Sequence, residues 1–245
     1  MATRRSKPGR VVSRPQARPT QPLEAVDWEQ VRPASRQELS PILMFSVLLS
    51  FVSLMICFSR GYLLLYGDAV AHLGIARRIL DTRNPGLIQL GGVWLPLPHL
   101  LMLPFVQKMS LWQSGLAGAW PSVGSYILSV VGLYRLCRRM LKPRWAFVAT
   151  GFYAVNPNLL YLSTTAMTEP LFLAELIWIT LVTIEAVVAI RTAQKRRAAR
   201  NLIGLGLLIF AAVFTRYDGW ILGAAAWCVV AWHLWRSREM RRQLV

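Results

Sequence analysis

GDAVAHLGIARRILDTRNPGLIQLGGVWLPLPH, residues 67–99, is the one long stretch in which polar residues crowd together inside an otherwise apolar chain. It gathers Asp68, His72, Arg77, Arg78, Asp81, Arg83 and His99, while the runs around it carry scattered charges at most. From Asp68 to Leu80 the spacing of Ala69, Leu73, Ala76 and Leu80 draws an apolar stripe, with Asp68 and His72 one turn apart beside it. That pattern predicts a short helix lying in a membrane interface. Asn84, Pro85 and Gly86 then supply turn chemistry. Val93 to Val106 is apolar again, but Pro96, Pro98 and Pro104 break it, which reads as a re-entrant or interfacial segment rather than a full crossing. The stretch is therefore read as part of an extracytoplasmic first loop, residues 59–119, of an all-α polytopic helical membrane protein.

The composition of the whole chain agrees. Hydrophobic residues make up 55%, only 16% are charged and ten are tryptophan, a balance that fits several membrane helices and excludes an ordinary soluble domain. A net charge of +17 would point to nucleic acid if the cations shared one face. They come instead in bursts between apolar runs, so no nucleic-acid partner is expected. Cys57, Cys137 and Cys228 have neither metal-ligand spacing nor an even count for a disulfide framework, and they read as buried thiols. Residues 1–40 are rich in Arg, Pro, Ser and Gln without apolar periodicity, the composition of a disordered basic tail.

Six apolar runs follow: Ile42 to Phe58, Pro121 to Cys137, Trp145 to Leu162, Pro170 to Ile190, Leu202 to Phe214 and Trp220 to Trp235. At about 1.5 Å per residue most of them nearly cross a hydrocarbon core about 30 Å thick, and the shorter ones need tilt or flanking residues. Cations set the orientation. With six spans, the cations of the tail, of the turns 135–144 and 191–200, and of the C-terminal end share one side; the other holds Arg60, Arg77, Arg78, Arg83, Lys108 and Arg216. Both termini, 1–40 and 237–245, are therefore expected in the cytosol, with a transmembrane module at 41–236 between them.

Acidic groups outside the tail are few, and Asp68, Asp81, Glu169 and Asp218 fall in or beside the three outer loops. The site is therefore sought on the outer face. Asp68 has two open readings: a cap for the helix it opens, or a carboxylate that takes a proton from an acceptor hydroxyl or binds a metal. His72 is a metal partner at i+4 or a hydrogen-bonded structural histidine. Arg77 and Arg78 pair phosphates or face lipid headgroups, and His99, between prolines, is undecided. Glu169 precedes Pro170 at the start of the fourth span, where the helix dipole stabilises a carboxylate. Glu175 lies inside that span and is either functional or paired with an arginine; Glu185, near the cytosolic end, snorkels or pairs with the Arg191 cluster. Arg216 and Asp218 close the third outer turn on each other, or Arg216 binds an anionic phosphate bidentately.

Three motifs, in this order, are GDAVAHLGIARRILDTRNPG with WLPLPHLLMLPF, TTAMTEPLFL, and TRYDGW. They resemble the multi-span GT-C glycosyltransferases, especially the protein O-mannosyltransferase and aminoarabinose transferase branch and its bacterial relatives, over roughly Ile42 to Trp235. The resemblance implies an integral enzyme of a bacterial inner membrane that transfers a sugar from a polyprenyl-phosphate-linked donor to an acceptor on the extracytoplasmic face, among membrane lipids. It puts Asp68 in the catalytic place and Glu169 in the second acidic place, and makes both candidates for holding a divalent cation. His72, Arg77, Arg78, His99, Arg216 and Asp218 become the substrate-binding set. Members of that family are usually much longer, so the chain reads as a fragment, a split-gene product or a reduced relative, with a second polypeptide completing the module. The competing expectation is a non-catalytic membrane subunit or transporter-like protein; internal repeats and paired broken half-helices, marks of many transporters, do not stand out.

Overall fold

A computed structural model describes residues 33–90 and 92–237. Most of the expected tail and the end beyond residue 237 lie outside the described residues. Among the described residues the regular elements are helices: α1 (Arg36–Ser59), α2 (Gly67–Arg78), α3 (Leu97–Val106), α4 (Met109–Gln113), α5 (Leu116–Cys137), α6 (Pro143–Ala154), α7 (Pro157–Leu162), α8 (Glu169–Arg191), α9 (Lys195–Thr215) and α10 (Asp218–Arg236). Helix α1 starts inside the stretch expected to be unordered, because Ser35 and Glu38 form a reciprocal capping box. It ends before Gly61, whose φ of 70° is one that glycine adopts readily.

Four helices, α1, α5, α8 and α9, have the length and apolar composition to cross a membrane. The third expected crossing is not one helix. Pro157 has no N–H for the ladder, and Asn156 starts a new helix by accepting from the backbone N–H groups of Asn158 at 3.0 Å and Leu159 at 3.2 Å. The Ala154 carbonyl at the break accepts from the buried Tyr126 hydroxyl at 2.8 Å. Helices α6 and α7 still traverse the bundle together, since Tyr161 of α7 donates to the Tyr62 carbonyl just past the end of α1. The sixth run, α10, is long enough at 19 residues but is diluted by four tryptophans and His233 and is not among the four.

Helix α8 is the centre of the bundle, packed against α5, α9 and α10, while α1 lies on α5. Close approach needs small residues: a Cβ at Gly118 would stand 2.2 Å from the Ala166 Cβ, and one at Gly132 would stand 2.7 Å from Trp178 Nε1. Leu43, Met44, Leu48 and Phe51 on α1, with Ile203, Leu207 and Phe210 on α9, face outward, the surface that a hydrocarbon phase would cover. Cys57 is buried, but Cys137 is only partly covered and Cys228 is exposed on α10, so the expectation of three buried thiols holds for one of them.

The bundle has two distinct ends. At one, Glu38 takes Arg138 at 3.1 Å, and Glu185 takes Arg139 and, at 2.6 Å, Arg197. Glu185 thus pairs with Arg197 of the Arg191 cluster, as expected, and also with Arg139 just past the end of α5. At the other end α2 and α3 dock on the start of α5 through Ala69, Leu73, Ala76, Met102, Val106, Ala117 and Ala166. The stripe foreseen for α2 is buried up to Ala76, and Leu80 falls past the helix end and is exposed.

Candidate functional site

The docking that buries Ala69, Leu73 and Ala76 also carries His72 inward. His72 and His99 are both at most 2% exposed, and Nδ1 of the first lies 2.9 Å from Nε2 of the second. One ring must donate and the other accept, so the contact requires neutrality of at least one ring. The Trp94 ring sits against His72, centroids 4.8 Å apart. Burial holds His99 down to about 4, helped by the positive potential of His72 and Arg78 and opposed by the Leu95 backbone. Burial also lowers His72, whose charged form is favoured by the carboxylates of Asp68 and Glu169 and disfavoured by Arg216. One imidazole therefore feels a carboxylate at the start of α2, a carboxylate at the start of α8 and a guanidinium just past α9.

The second and third loops meet directly. Arg216, just past α9, donates from Nη1 to Glu169 Oε1 at 2.9 Å and to Thr168 Oγ1 at 3.1 Å, and from Nε to Asp218 Oδ2 at 3.2 Å. Both alternatives for Arg216 and Asp218 are therefore compatible: the turn is closed by their pair, and Nη2 makes no hydrogen bond among the described residues. Arg216, Asp218 and Thr168 line a cleft of about 210 Å³ whose far wall is Val93, Trp94 and Leu95. Beneath it Thr215 donates to Glu175 at 2.7 Å. Glu175 is only 5% exposed and is held by this hydroxyl, not by the arginine considered as its partner.

Asp68 stands in the first turn of α2, exposed, and makes no capping hydrogen bond; the capping role weighed for it is absent. Arg77 is committed to structure: it donates to the Val106 carbonyl at 2.7 Å, pairs with Asp81 at 3.2 Å and lies over the Trp112 ring. Arg78 is exposed and has no hydrogen bond or ion pair among the described residues. No three side chains of His, Cys, Asp or Glu converge among the described residues as a metal would need, and Glu169 is already engaged by Arg216.

Sequence reasoning overlooked Thr168 as an Arg216 partner, Thr215 as the anchor of Glu175, and Trp94 as a wall against His72. Nothing local marked them: Thr168 stands at the start of α8 but makes no capping hydrogen bond there and accepts from Arg216 instead.

The family model of dolichyl-phosphate-mannose-protein mannosyltransferases matches residues 96–244, more than half of the chain. The chain belongs to this family. Membership makes it a membrane glycosyltransferase of the GT-C type, in keeping with its apolar helices. The matched part of this mannosyltransferase-family chain includes His99, Glu169, Arg216 and Asp218, while Asp68, His72, Arg77 and Arg78 precede it. No curated protein and no solved structure matches the chain.

Proposed function

We propose that this mannosyltransferase-family protein moves a sugar from a polyprenyl-phosphate-linked donor to an acceptor hydroxyl at the extracytoplasmic face of a bacterial inner membrane. The observation that carries the reading is the meeting of three outer loops around His72, with Asp68 and Glu169 as carboxylates and Arg216 as cation. The acceptor oxygen attacks the anomeric carbon of the donor, the bond from that carbon to the phosphate oxygen breaks, and the acceptor proton passes to Asp68. The polyprenyl phosphate leaves with its charge balanced by the guanidinium of Arg216, which Glu169, Asp218 and Thr168 hold in place. The neutral His72–His99 pair fixes α2 against α3 and so sets where Asp68 stands. Lipid anchoring keeps the donor at the membrane surface, where Arg216 lies at a helix end. The distribution of Lys and Arg supports cytosolic termini and an outward-facing site.

Transfer from a polyprenyl-phosphate sugar in reconstituted vesicles tests the chemistry. Asp68→Asn should lower it by about 10²–10⁴, and an Asp68→Asn protein with full transfer sinks the assignment. Sidedness is tested by Gly67→Cys in a background without the three native cysteines; a Cβ there meets no atom within 4 Å. A membrane-impermeant maleimide added outside intact cells should label it, and labelling from the cytosolic side alone would overturn the orientation.

A further inference from the structure

At the end of the bundle far from the Arg216 cleft, two arginines are left over from the ion pairs. Glu38 and Glu185 take Arg138, Arg139 and Arg197. Arg191, the last residue of α8, and Arg236, the last of α10, are exposed and make no hydrogen bond or ion pair among the described residues. We propose that the adjoining ends of α8 and α10 bind an anionic phospholipid, with its phosphate on Arg191 and Arg236 and an acyl chain along the outer face of α10.

Packing is the first argument. Ala186, Ala189 and Ile190 in the last turns of α8 share one apolar cluster with Val230 and Leu234 of α10, so the two helices finish side by side. The charges of Arg191 and Arg236 both bear on the His233 ring. Each arginine complements the negative end of its own helix, but that leaves the guanidinium N–H groups without acceptors among the described residues. A phosphodiester placed there would accept from both and relieve their mutual repulsion, in contacts that the planar guanidinium makes bidentate.

The surface beside the cations is the second argument, and it selects a lipid over a free phosphate. Arg236, Trp232, Val229 and Ala225 follow one another at spacings of four and three residues and so share one face of α10. All four are exposed. The Arg236 guanidinium carbon lies 4.6 Å from the centre of the Trp232 ring, and the Trp235 ring stands 5.8 Å from it. Tryptophans beside a cation suit the headgroup level of a membrane, and Val229 and Ala225 continue the face as an apolar strip toward the middle of the helix. A free phosphate would use the arginines alone, whereas a phospholipid uses the strip as well. No unmatched carboxylate accompanies these arginines among the described residues, so the site is built to hold an anion rather than to react with it, unlike the end that carries Asp68.

Native mass spectrometry of the full chain tests the proposal. The protein in detergent receives equal amounts of phosphatidylglycerol and phosphatidylcholine with matched acyl chains, and the lipid retained is counted. Phosphatidylglycerol should be retained about tenfold better, the scale of a charged hydrogen bond, and the double variant Arg191→Gln, Arg236→Gln should remove that preference without changing the melting temperature. Lys142→Gln with Arg200→Gln takes the same charge from exposed positions at the same end and should leave the preference intact. Trp232→Ala should weaken retention of both lipids, and Trp232→Phe should restore most of it. Glycerol phosphate, the headgroup chemistry without acyl chains, should not displace the lipid at equal concentration. Equal retention of the two lipids would overturn the anionic class. Equal losses from the two double variants would reduce the effect to overall charge and overturn the site, and displacement by glycerol phosphate would overturn the lipid as its ligand. None of these readouts involves sugar transfer, so they stand or fall apart from the enzymatic reading.

Discussion

The two ends of the bundle treat their charges differently. Where α5 and α8 finish, Glu38 is matched by Arg138 and Glu185 by Arg139 and Arg197, with side chains of Glu185 and Arg139 no more than 16% exposed. Where α2 begins and α9 ends, Asp68 and Arg78 stand without partners among the described residues, and Arg216 is shared among three oxygen groups around a cleft. A matched charge is spent on holding helices together. An unmatched one at a membrane surface keeps its interaction for something that arrives, and this is why the chemistry is assigned to the second end.

The sharpest way to break the contrast is to remove one charge from each end. Asp68→Asn should lower kcat by about 10²–10⁴, the usual contribution of a general base, with an unchanged melting temperature in detergent, because the carboxylate holds nothing. Glu185→Ala should do the opposite. Taking the carboxylate from between two arginines should cost about 3 kcal/mol of stability, read by thermal unfolding, while transfer per folded molecule persists. If Glu185→Ala silenced a fully folded protein, the division between structural and functional ends would fail.

A smaller effect probes the packing beneath the site. Gly118→Ala should destabilise by about 1–3 kcal/mol, as overpacking does, since the new methyl would stand 2.2 Å from Ala166 Cβ. Ala166→Gly in the same protein should recover part of the loss, and independent losses would show that the two residues do not share the contact.

The most gradual expected change concerns acidity. His99 is held down to about 4 against an ordinary 6.5, so the unfolded chain binds a proton that the folded chain refuses between those values. Stability should therefore be complete above about pH 6.5 and fall as pH drops toward 4, at no more than about 1.4 kcal/mol per pH unit. His99→Gln should flatten that part of a melting-temperature profile; an unchanged slope would remove His99 as its cause.

Much of this was legible before any coordinates. The apolar runs fixed the helices because a hydrocarbon phase admits backbone only when its polar groups are satisfied within the segment, and the stripe in residues 69–76 foretold the face on which α2 docks. The break at Asn156-Pro157 was legible too, in a cap residue followed by a proline at the first helical position, but the apolar run around it outweighed that signal. The candidate site was legible in its members more than in their duties. Arg77 and Arg78 are neighbours in sequence with identical chemistry, and only one of them finds the Val106 carbonyl. Glu175 gave no sign that Thr215 would hold it.

What the sequence determined by itself is what depends on local spacing and on transfer between water and lipid: helices, their order, the small residues at crossings and the sparse acids of the loops. What only the tertiary structure decided is which polar groups spend their hydrogen bonds on one another, as His72 does with His99 across 27 residues and Arg216 with Glu169 across 47. The reason is geometric. A hydrogen bond or ion pair acts over a few ångströms, and separations of that size between distant segments are fixed by how whole helices pack rather than by any residue near them in the chain.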